Sequence, residues 1–245
     1  MKVVFKRPES MTDARMHYCP GCGHGIVHRL VAEVIDELNI QEKVIGIAPV
    51  GCAVLAYDYW DFDVAEAAHG RPPAVATGIK RVHPDKIVFT YQGDGDLASI
   101  GAAETLHAAN RGENISIIFI NNTVYGMTGG QMAPTTLLGQ KTTTTPEGRT
   151  PEFGGYPLRM SEILSVIDGA KYIERTAVDS PANIMKTKRA IKKSFQAQME
   201  NKGFTMVEVL SMCPTNWGMT PQDSLKHIKE NLIKTFPLGV MKDEL

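Results

Sequence analysis

Apolar residues recur along this chain with two different periods, and these periods predict its secondary structure. Over residues 26–38 they are spaced by three and four, which is typical of an amphipathic helix. Short β-branched and aromatic runs instead predict buried strands at Val44–Ala48 and 86–91. The almost unbroken apolar run at 115–120 indicates a parallel strand that helices cover on both faces.

The same alternation continues through the second half of the chain. Further helices are expected at 74–82, 97–111, near 158–167, from Asp179-Ser180-Pro181 onwards and at about 221–236, and further strands at 172–177 and Phe204–Leu210. No change of composition indicates a linker. We therefore predict an α/β fold in which residues 1–245 form one domain around a mostly parallel sheet flanked by helices.

One segment departs from this pattern. Gly, Thr and Pro dominate residues 127–157, a length that is unusual for a passive connection. It is either a flexible surface loop or a loop that covers a site. The residues that precede it favour an active-site loop.

Charge and hydropathy exclude several classes of partner. The 245 residues carry 26 basic and 27 acidic side chains, for a net charge of -1, which gives no electrostatic footprint for nucleic acid or an anionic membrane. The longest charge-free apolar stretch, near 44–57, is too short to span a bilayer. Residues 1–8 lack the apolar segment of a signal peptide. We expect a cytoplasmic protein with neither a nucleic-acid nor a membrane partner.

Polar side chains follow two of the predicted strands. Gly93-Asp94-Gly95-Asp96 follows the strand 86–91, Asn121-Asn122 follows the strand 115–120, and 25 residues separate Gly95 from Asn121. That interval is long enough for a right-handed strand-helix-strand crossover, which brings both strand ends to one edge of the sheet.

Carboxylate and amide oxygens at this edge suit Mg²⁺, which keeps coordination positions for water and phosphate oxygens. Glycines on both sides of Asp94 permit a sharp turn, and the helix that starts near Leu97 offers free N–H groups to an anion. Gly-Asp-Gly alone is most often just a turn. Its combination with Asn-Asn at this spacing predicts a metal-bridged diphosphate site.

Four cysteines are expected at the same edge, because each follows a strand or opens a helix there. Four thiolates suit a 4Fe-4S cluster. The spacing differs from that of a zinc ribbon, although zinc and unrelated buried thiols remain alternatives. The four are Cys19, Cys22, Cys52 and Cys213.

Gly93-Asp94-Gly95 and Asn121-Asn122 at this spacing resemble the thiamine diphosphate motif of transketolases, decarboxylases and related enzymes. The resemblance implies a thiamine diphosphate-binding fold, with Mg²⁺ held by Asp94, Asn122 and the backbone carbonyl of Val124.

From about residue 1 to residue 240, the chain is similar to the thiamine-binding β subunit of 2-oxoacid:ferredoxin oxidoreductases, and most similar to the 2-oxoisovalerate or 2-oxoglutarate branch. This resemblance implies that the four cysteines ligate a 4Fe-4S cluster. It also implies oxidative decarboxylation of a 2-oxoacid with coenzyme A to acyl-CoA and CO₂, with electrons passing from thiamine diphosphate through the cluster to ferredoxin. The matching motifs are Cys19-Pro-Gly-Cys-Gly, Gly51-Cys52, His69-Gly-Arg-Pro, Gly93-Asp-Gly-Asp, Asn121-Asn, Tyr125-Gly-Met-Thr-Gly-Gly-Gln131 and Cys213-Pro-Thr-Asn.

The glutamate that activates thiamine diphosphate has no candidate in this sequence, since Glu104 lies inside a predicted helix. In the family this glutamate comes from the α subunit. The resemblance therefore implies a hetero-oligomer with α, γ and ferredoxin-like δ subunits, and an isolated chain that is inactive. The alternatives are a non-redox thiamine diphosphate decarboxylase or carboligase and a zinc-stapled scaffold subunit.

Three other residues are candidates for binding the cofactor or the substrate: His69, Arg71 and Thr128. Ordinary surface roles explain the first two equally well. Met127 stands where pyruvate-specific relatives tend to have Asn, which favours a bulkier oxoacid. The remaining histidines lack ligand spacing and are expected to be core or surface residues.

Overall fold

The structure, a computed structural model, describes residues 6–245, so the prediction about the first five residues lies outside it. Nine strands are present in this range, two of them only two residues long. They are β1 (Val44–Ala48), β2 (Asp63–Glu66), β3 (Ile87–Gly93), β4 (Ser116–Asn121), β5 (Val124–Tyr125), β6 (Gln131–Met132), β7 (Ala170–Ala177), β8 (Phe204–Leu210) and β9 (Gly239–Asp243).

Nine α-helices are found in the same range, with two five-residue π-helical segments at Asp96–Ile100 and Ile228–Leu232 and a 3-10 turn at Gln41–Lys43. The α-helices are α1 (His24–Leu38), α2 (Ala56–Tyr59), α3 (Pro72–Val82), α4 (Ala102–Asn110), α5 (Met160–Ser165), α6 (Pro181–Met199), α7 (Pro214–Trp217), α8 (Pro221–His227) and α9 (Ile233–Thr235). Among residues 6–245, no helix has the length and apolar character needed to cross a membrane.

Seven strands form the main sheet in the order β2-β1-β3-β4-β8-β7-β9. Neighbouring strands are parallel except for β9, which pairs antiparallel with β7 at one edge. The separate pair β5 and β6 is antiparallel. The predicted α/β fold with a mostly parallel sheet is confirmed.

Alternate side chains of the central strands enter two separate apolar cores, one on each face of the sheet. In β3, Phe89 and Tyr91 pack with residues of α1 and α6, whereas Val88 packs with residues of α3 and α4. In β4, Ile118 belongs to the core that contains α1 and α6, and Ile117 belongs to the core that contains α3 and α4. Burial on both faces explains why these strands are continuously apolar in the sequence.

Two predicted helices are interrupted. The helix expected at 97–111 begins with a π-helical segment and passes through Gly101 before α4. A Cβ at Gly101 would lie 2.5 Å from the carbonyl oxygen of Gly70, so the close approach of two backbones explains the irregularity. The last helix, expected at about 221–236, is likewise interrupted by a π-helical segment.

The sequence reading missed the edge strands β2 and β9. Their side chains are only partly buried and do not form the continuous apolar run that marked the central strands. Both strands complete the sheet at its ends, where β1 separates β2 from β3, and β8 and β7 separate β9 from β4.

The register of the central strands determines where the site forms. Gly93 at the end of β3 pairs with Ile120 of β4, and Asn121 of β4 pairs with Leu210 of β8. Asp94 and Asn122 therefore leave adjacent strands at the same edge, as the crossover length predicted, and Cys213 follows the third strand.

Candidate functional site

A cavity of about 120 Å³ lies at the carboxyl edge of the sheet. It collects most of the residues for which the sequence predicts cofactor or metal binding. Those among its lining residues are Cys52, His69, Gly93, Asp94, Gly95, Asp96, Asn122, Val124 and Thr128.

Asp94 is a buried carboxylate inside this cavity wall. One of its oxygens accepts a hydrogen bond from Thr135 Oγ1 at 2.7 Å, and the other from the Gly95 N–H at 2.9 Å. Burial raises the pKa of Asp94 to about 7 although both hydrogen bonds act in the opposite direction. A buried carboxylate that protein donors only partly compensate fits a site that receives a divalent cation.

The turn after β4 holds the second expected ligand. Asn122 Oδ1 accepts from the Val124 N–H at 3.3 Å, and the Asn122 carbonyl oxygen accepts from Trp217 Nε1 at 3.0 Å. Between them Thr123 has a φ of +64°, an unusual conformation for a β-branched residue. The strained turn is the local geometry that carries Asn122 and Val124 to the cavity.

A buried ionic network supports this turn from behind. Asn121 Nδ2 donates to Glu208 Oε1 at 2.8 Å, and Asn121 Oδ1 accepts from the Thr123 N–H at 3.3 Å. Glu208 Oε2 accepts from Arg175 Nε at 2.8 Å and from the Ser161 hydroxyl. The side chains of Arg175 and Glu208 are 0% and 1% exposed, so the network acts in a low-dielectric interior.

Asp96 lines the cavity, but protein groups occupy both of its oxygens. One accepts from His69 Nδ1 at 2.6 Å and from the Gly70 N–H at 2.9 Å. The other accepts from Gln92 Nε2 at 2.6 Å. These contacts orient the segment that carries His69, so Asp96 contributes to the site by holding its wall in place.

The structure does not bring Arg71 to the cavity lining. Its guanidinium pairs with Glu104 and donates to the carbonyl oxygen of Ile100 at 3.3 Å. Glu104 thus has the structural role that its position inside a helix predicted.

Residues 127–157 contact the site, and one side chain organises much of the segment. Arg149 is 4% exposed and donates six hydrogen bonds to backbone carbonyl oxygens between positions 133 and 156. Thr135, which donates to Asp94, belongs to the same segment, whereas Thr128 Oγ1 donates to Gln131 Oε1 at 2.5 Å. The segment is an ordered wall of the site, and the part that Arg149 plays in it was not predicted.

All four cysteines line a second cavity of about 60 Å³. A Cβ at Gly126 would lie 3.1 Å from Cys52 Sγ and 3.7 Å from Cys213 Sγ. The Gly23 N–H, next to Cys22, donates to the Met212 carbonyl oxygen at 3.3 Å. Three distant parts of the chain therefore meet at one place.

The thiols differ in burial. Cys19 is exposed, Cys22 and Cys52 are partly buried, and Cys213 is buried. Burial, with the neighbouring thiols, raises the pKa of Cys22 to about 12 and that of Cys52 to about 11. An Asn216 side-chain N–H donates to Cys213 Sγ at 3.2 Å. Among residues 6–245, no three His, Cys, Asp or Glu side chains are grouped closely enough to hold a single metal ion.

The two cavities share a wall. Four residues line both of them: His24, Cys52, Asn122 and Gly126. One predicted metal ligand from each set, Cys52 and Asn122, is therefore part of the boundary.

The histidines were expected to be core or surface residues, and the place of His24 in the lining of both cavities was not predicted. This residue is buried, and its Nδ1 lies 2.9 Å from the Tyr91 hydroxyl oxygen. Burial lowers the pKa of His24 to about 4. Its position two residues after Cys22 was the available signal, since a residue so close to a candidate ligand must lie near the same cavity.

Comparison with known proteins identifies the family. Residues 50–209 match the family described as "Thiamine pyrophosphate enzyme, C-terminal TPP binding domain". The chain is 51% identical over 240 residues to the ketoisovalerate oxidoreductase subunit VorA of Methanothermobacter thermautotrophicus. This alignment covers 98% of this chain and 50% of that protein. It is 40% identical to the 2-oxoglutarate synthase subunit KorB of Methanocaldococcus jannaschii, over 93% of this chain and 82% of that protein.

A solved structure agrees with this. The 2-oxoglutarate:ferredoxin oxidoreductase from Magnetococcus marinus, with 2-oxoglutarate, coenzyme A and succinyl-CoA bound, matches with a TM-score of 0.77 at 26% identity. The match covers 98% of this chain and 85% of that chain. The chain spans about half the length of the VorA proteins that it matches. It belongs to the thiamine diphosphate-binding subunits of the 2-oxoacid:ferredoxin oxidoreductase family, as the sequence motifs predicted.

Proposed function

We propose that this chain is the catalytic β subunit of a 2-oxoacid:ferredoxin oxidoreductase, in which Mg²⁺ and thiamine diphosphate occupy the larger cavity and a 4Fe-4S cluster occupies the smaller one. The observation that carries the proposal is the wall that these cavities share. Electron transfer needs a donor and an acceptor that are close together, and cofactors in two cavities with a common wall would be neighbours.

The residues of the larger cavity fit Mg²⁺ and a diphosphate. Asp94 supplies a buried carboxylate, Asn122 an amide oxygen and Val124 a backbone carbonyl, which are hard oxygen donors. A Cβ at Gly93 would meet no atom within 4 Å, so glycine leaves open space there, whereas a Cβ at Gly95 would collide with the ring of Tyr125, which lines the same cavity. His69, held by Asp96, and Thr128 are available as further polar contacts.

The four thiols fit a cluster better than one zinc ion. A 4Fe-4S cluster takes one thiolate at each iron atom, so its ligands line a common cavity, whereas zinc needs four donors that converge on one ion. Cys19, Cys22, Cys52 and Cys213 line a common cavity. Their raised pKa values mean that bound metal must displace the protons from at least Cys22 and Cys52.

When bound, thiamine diphosphate supplies the carbon nucleophile and electron sink, and the cluster supplies a one-electron carrier. One 2-oxoacid anion and one coenzyme A give acyl-CoA, CO₂, one proton and two electrons. Two ferredoxins each accept one electron. The chain's own residues bind the cofactor, hold its metal and exclude water from the boundary.

The activity requires partner subunits. The acidic side chains that line the larger cavity are Asp94 and Asp96, and protein donors occupy both oxygens of Asp96. We therefore assign the activating glutamate to an α subunit. Gamma and ferredoxin-like delta subunits, ferredoxin and coenzyme A complete the proposed assembly, which operates in the cytoplasm.

The substrate that fits best is a 2-oxoacid with a branched apolar side chain, such as 2-oxoisovalerate. Val50, Ala53 and Met127 present apolar side chains along the larger cavity, and Met127 is 56% exposed at its mouth. A relative at 51% identity is named for ketoisovalerate.

The complex purified without oxygen tests this function. Iron and acid-labile sulfide should be present in equal amounts, and a denatured extract should contain thiamine diphosphate by mass spectrometry. When the complex is supplied with coenzyme A and each of several 2-oxoacids in turn, the rate of ferredoxin reduction should be highest with 2-oxoisovalerate. Zinc in place of iron would contradict the proposal and leave the scaffold alternative.

Cys52→Ala separates the redox enzyme from a non-redox decarboxylase. Ferredoxin reduction should be abolished while bound thiamine diphosphate stays near the wild-type level. A control is Tyr57→Phe, at an exposed position of α2 outside both cavity linings, which should retain both. If decarboxylation ran at the wild-type rate without any electron acceptor, the enzyme would be a simple decarboxylase.

A further inference from the structure

His24 occupies an unusual place, since it opens α1 and lines both cavities. It is 4% exposed, and its ring stacks on Tyr18 with a centroid distance of 4.9 Å. Buried imidazoles normally satisfy both ring nitrogens with hydrogen bonds. The partners of the two nitrogens of His24 therefore indicate what the residue does.

Only one ring nitrogen of His24 has a protein partner. Nδ1 lies 2.9 Å from the hydroxyl of Tyr91, a fully buried residue of β3. Within residues 6–245, Nε2 makes no hydrogen bond to protein. When the Tyr91 hydroxyl donates to Nδ1, the imidazole carries its proton on Nε2. The residue that carries this free N–H lines both cavities.

The nearest thiols belong to the same surroundings. Cys22 precedes His24 by two residues, and Cys52 lines both cavities together with His24. Hydrogen bonds to the sulfurs of an iron–sulfur cluster raise its reduction potential, because they favour the more negative reduced state. A side-chain N–H at this boundary is positioned to have that effect.

We propose that His24 is a positioning residue whose Nε2–H donates to a sulfur atom of the cluster and raises its reduction potential, and that Tyr91 fixes the tautomer that makes this possible. The inference rests on the proposed function, because it needs a cluster in the thiol cavity. It adds to the proposed function a residue that lies between the thiamine diphosphate site and the cluster site.

The test is a redox titration of the cluster by electron paramagnetic resonance in the intact complex, for wild type, His24→Phe and Tyr91→Phe. Loss of the donor in His24→Phe should lower the equilibrium constant for one-electron reduction about tenfold, which corresponds to about 59 mV. Tyr91→Phe should lower the reduction potential of the cluster by a smaller amount, because the tautomer with a proton on Nε2 is still partly populated.

His28→Phe is the matched control. His28 is 0% exposed, contacts Tyr18 and Tyr91 in the same aromatic cluster, and belongs to the lining of neither cavity. It should leave the potential unchanged, whereas a general loosening of the core would move the potential in both histidine variants.

The outcomes separate the inference from the proposed function. Absence of iron from the wild-type complex would overturn the proposed function itself. Iron at the wild-type level with an unchanged potential in His24→Phe would overturn only the inference. An unchanged potential with a raised KM for the oxoacid would mean that Nε2 faces the substrate instead. His24→Gln, which restores a side-chain N–H, should recover part of the shift.

Discussion

The two halves of the site are built in opposite ways. The metal half comes from β3 and β4, which are adjacent in both sequence and sheet, and protein hydrogen bonds already orient Asp94 and Asn122. The thiol half draws on segments around Cys19, Cys52 and Cys213, which few protein hydrogen bonds join, such as that from the Gly23 N–H to the Met212 carbonyl oxygen. We therefore expect the first half to be preorganised by the chain and the second to gain most of its order from the proposed cluster.

Asp94→Asn tests the metal half where the expected effect is largest. Loss of the only carboxylate assigned to Mg²⁺ should weaken Mg²⁺-dependent thiamine diphosphate binding more than about 100-fold, since even indirect ligand contacts contribute 10–100-fold. Isothermal titration with the complex measures it. Iron content should stay at the wild-type level, and a parallel loss of iron would mean that the two halves are not independent.

Glu208→Gln tests how far the preorganisation extends. The variant keeps the shape of the side chain but leaves Arg175 without its fully buried counter-ion, and it weakens the support for Asn121. Mg²⁺ affinity should fall about 10–100-fold. Glu162→Gln, which touches the same arginine from a partly exposed position, should change it less. Equal effects on affinity and on the melting temperature in both variants would argue for a purely structural network.

Without a bound metal, the buried carboxylate of Asp94 is expected to lower the free energy of unfolding. Because burial raises the pKa of Asp94 from its ordinary value of 3.8 to about 7, the native state binds the extra proton and loses stability as pH rises through this window. Asp94→Asn should therefore raise the free energy of unfolding by about 2–4 kcal/mol above pH 7 and by little at pH 4. Urea denaturation with EDTA at several pH values measures this. A gain that is independent of pH would contradict the assigned cause.

Removing the two cofactors one at a time should separate the halves by hydrogen exchange. Loss of the cluster should accelerate exchange in residues 17–23 and 211–217 by about tenfold or more, since those segments lose their common link. Loss of Mg²⁺ should leave exchange at the end of β3 nearly unchanged, because strand pairing and Thr135 hold it. If loss of the cluster and loss of Mg²⁺ accelerated hydrogen exchange equally in their own halves, the metal half would be no more preorganised than the thiol half.

The smallest effect is expected from Thr135→Val. It deletes the hydroxyl that orients Asp94 but keeps the metal ligands, so Mg²⁺ affinity should fall about fivefold. Thr143→Val, an exposed position of the same segment, is the control. A loss above 100-fold would mean that Thr135 itself reaches the metal or the cofactor.

Local rules were enough to predict the central strands and the position of Asp94 and Asn122. The apolar runs of β3 and β4 are continuous, and the length of the crossover limits where their ends lie. The four thiols were placed by the same reasoning. These features depend on short stretches whose chemistry is visible in the sequence.

The contacts that orient the ligands could not be predicted. Thr135 is 41 residues from Asp94, and Glu208 is 87 residues from Asn121. Nothing in their own neighbourhoods distinguishes them from other threonines and glutamates. The position of His24 beside both cavities was not predicted for a different reason, because these cavities exist only in the folded chain.

The six acceptors of Arg149 are all main-chain oxygens. These contacts use no side-chain atom of the accepting residues. Exposed side chains of the segment, such as that of Tyr156, can therefore be changed without removing a contact to Arg149. We expect the surface of residues 127–157 to tolerate such changes as long as this one cation is kept.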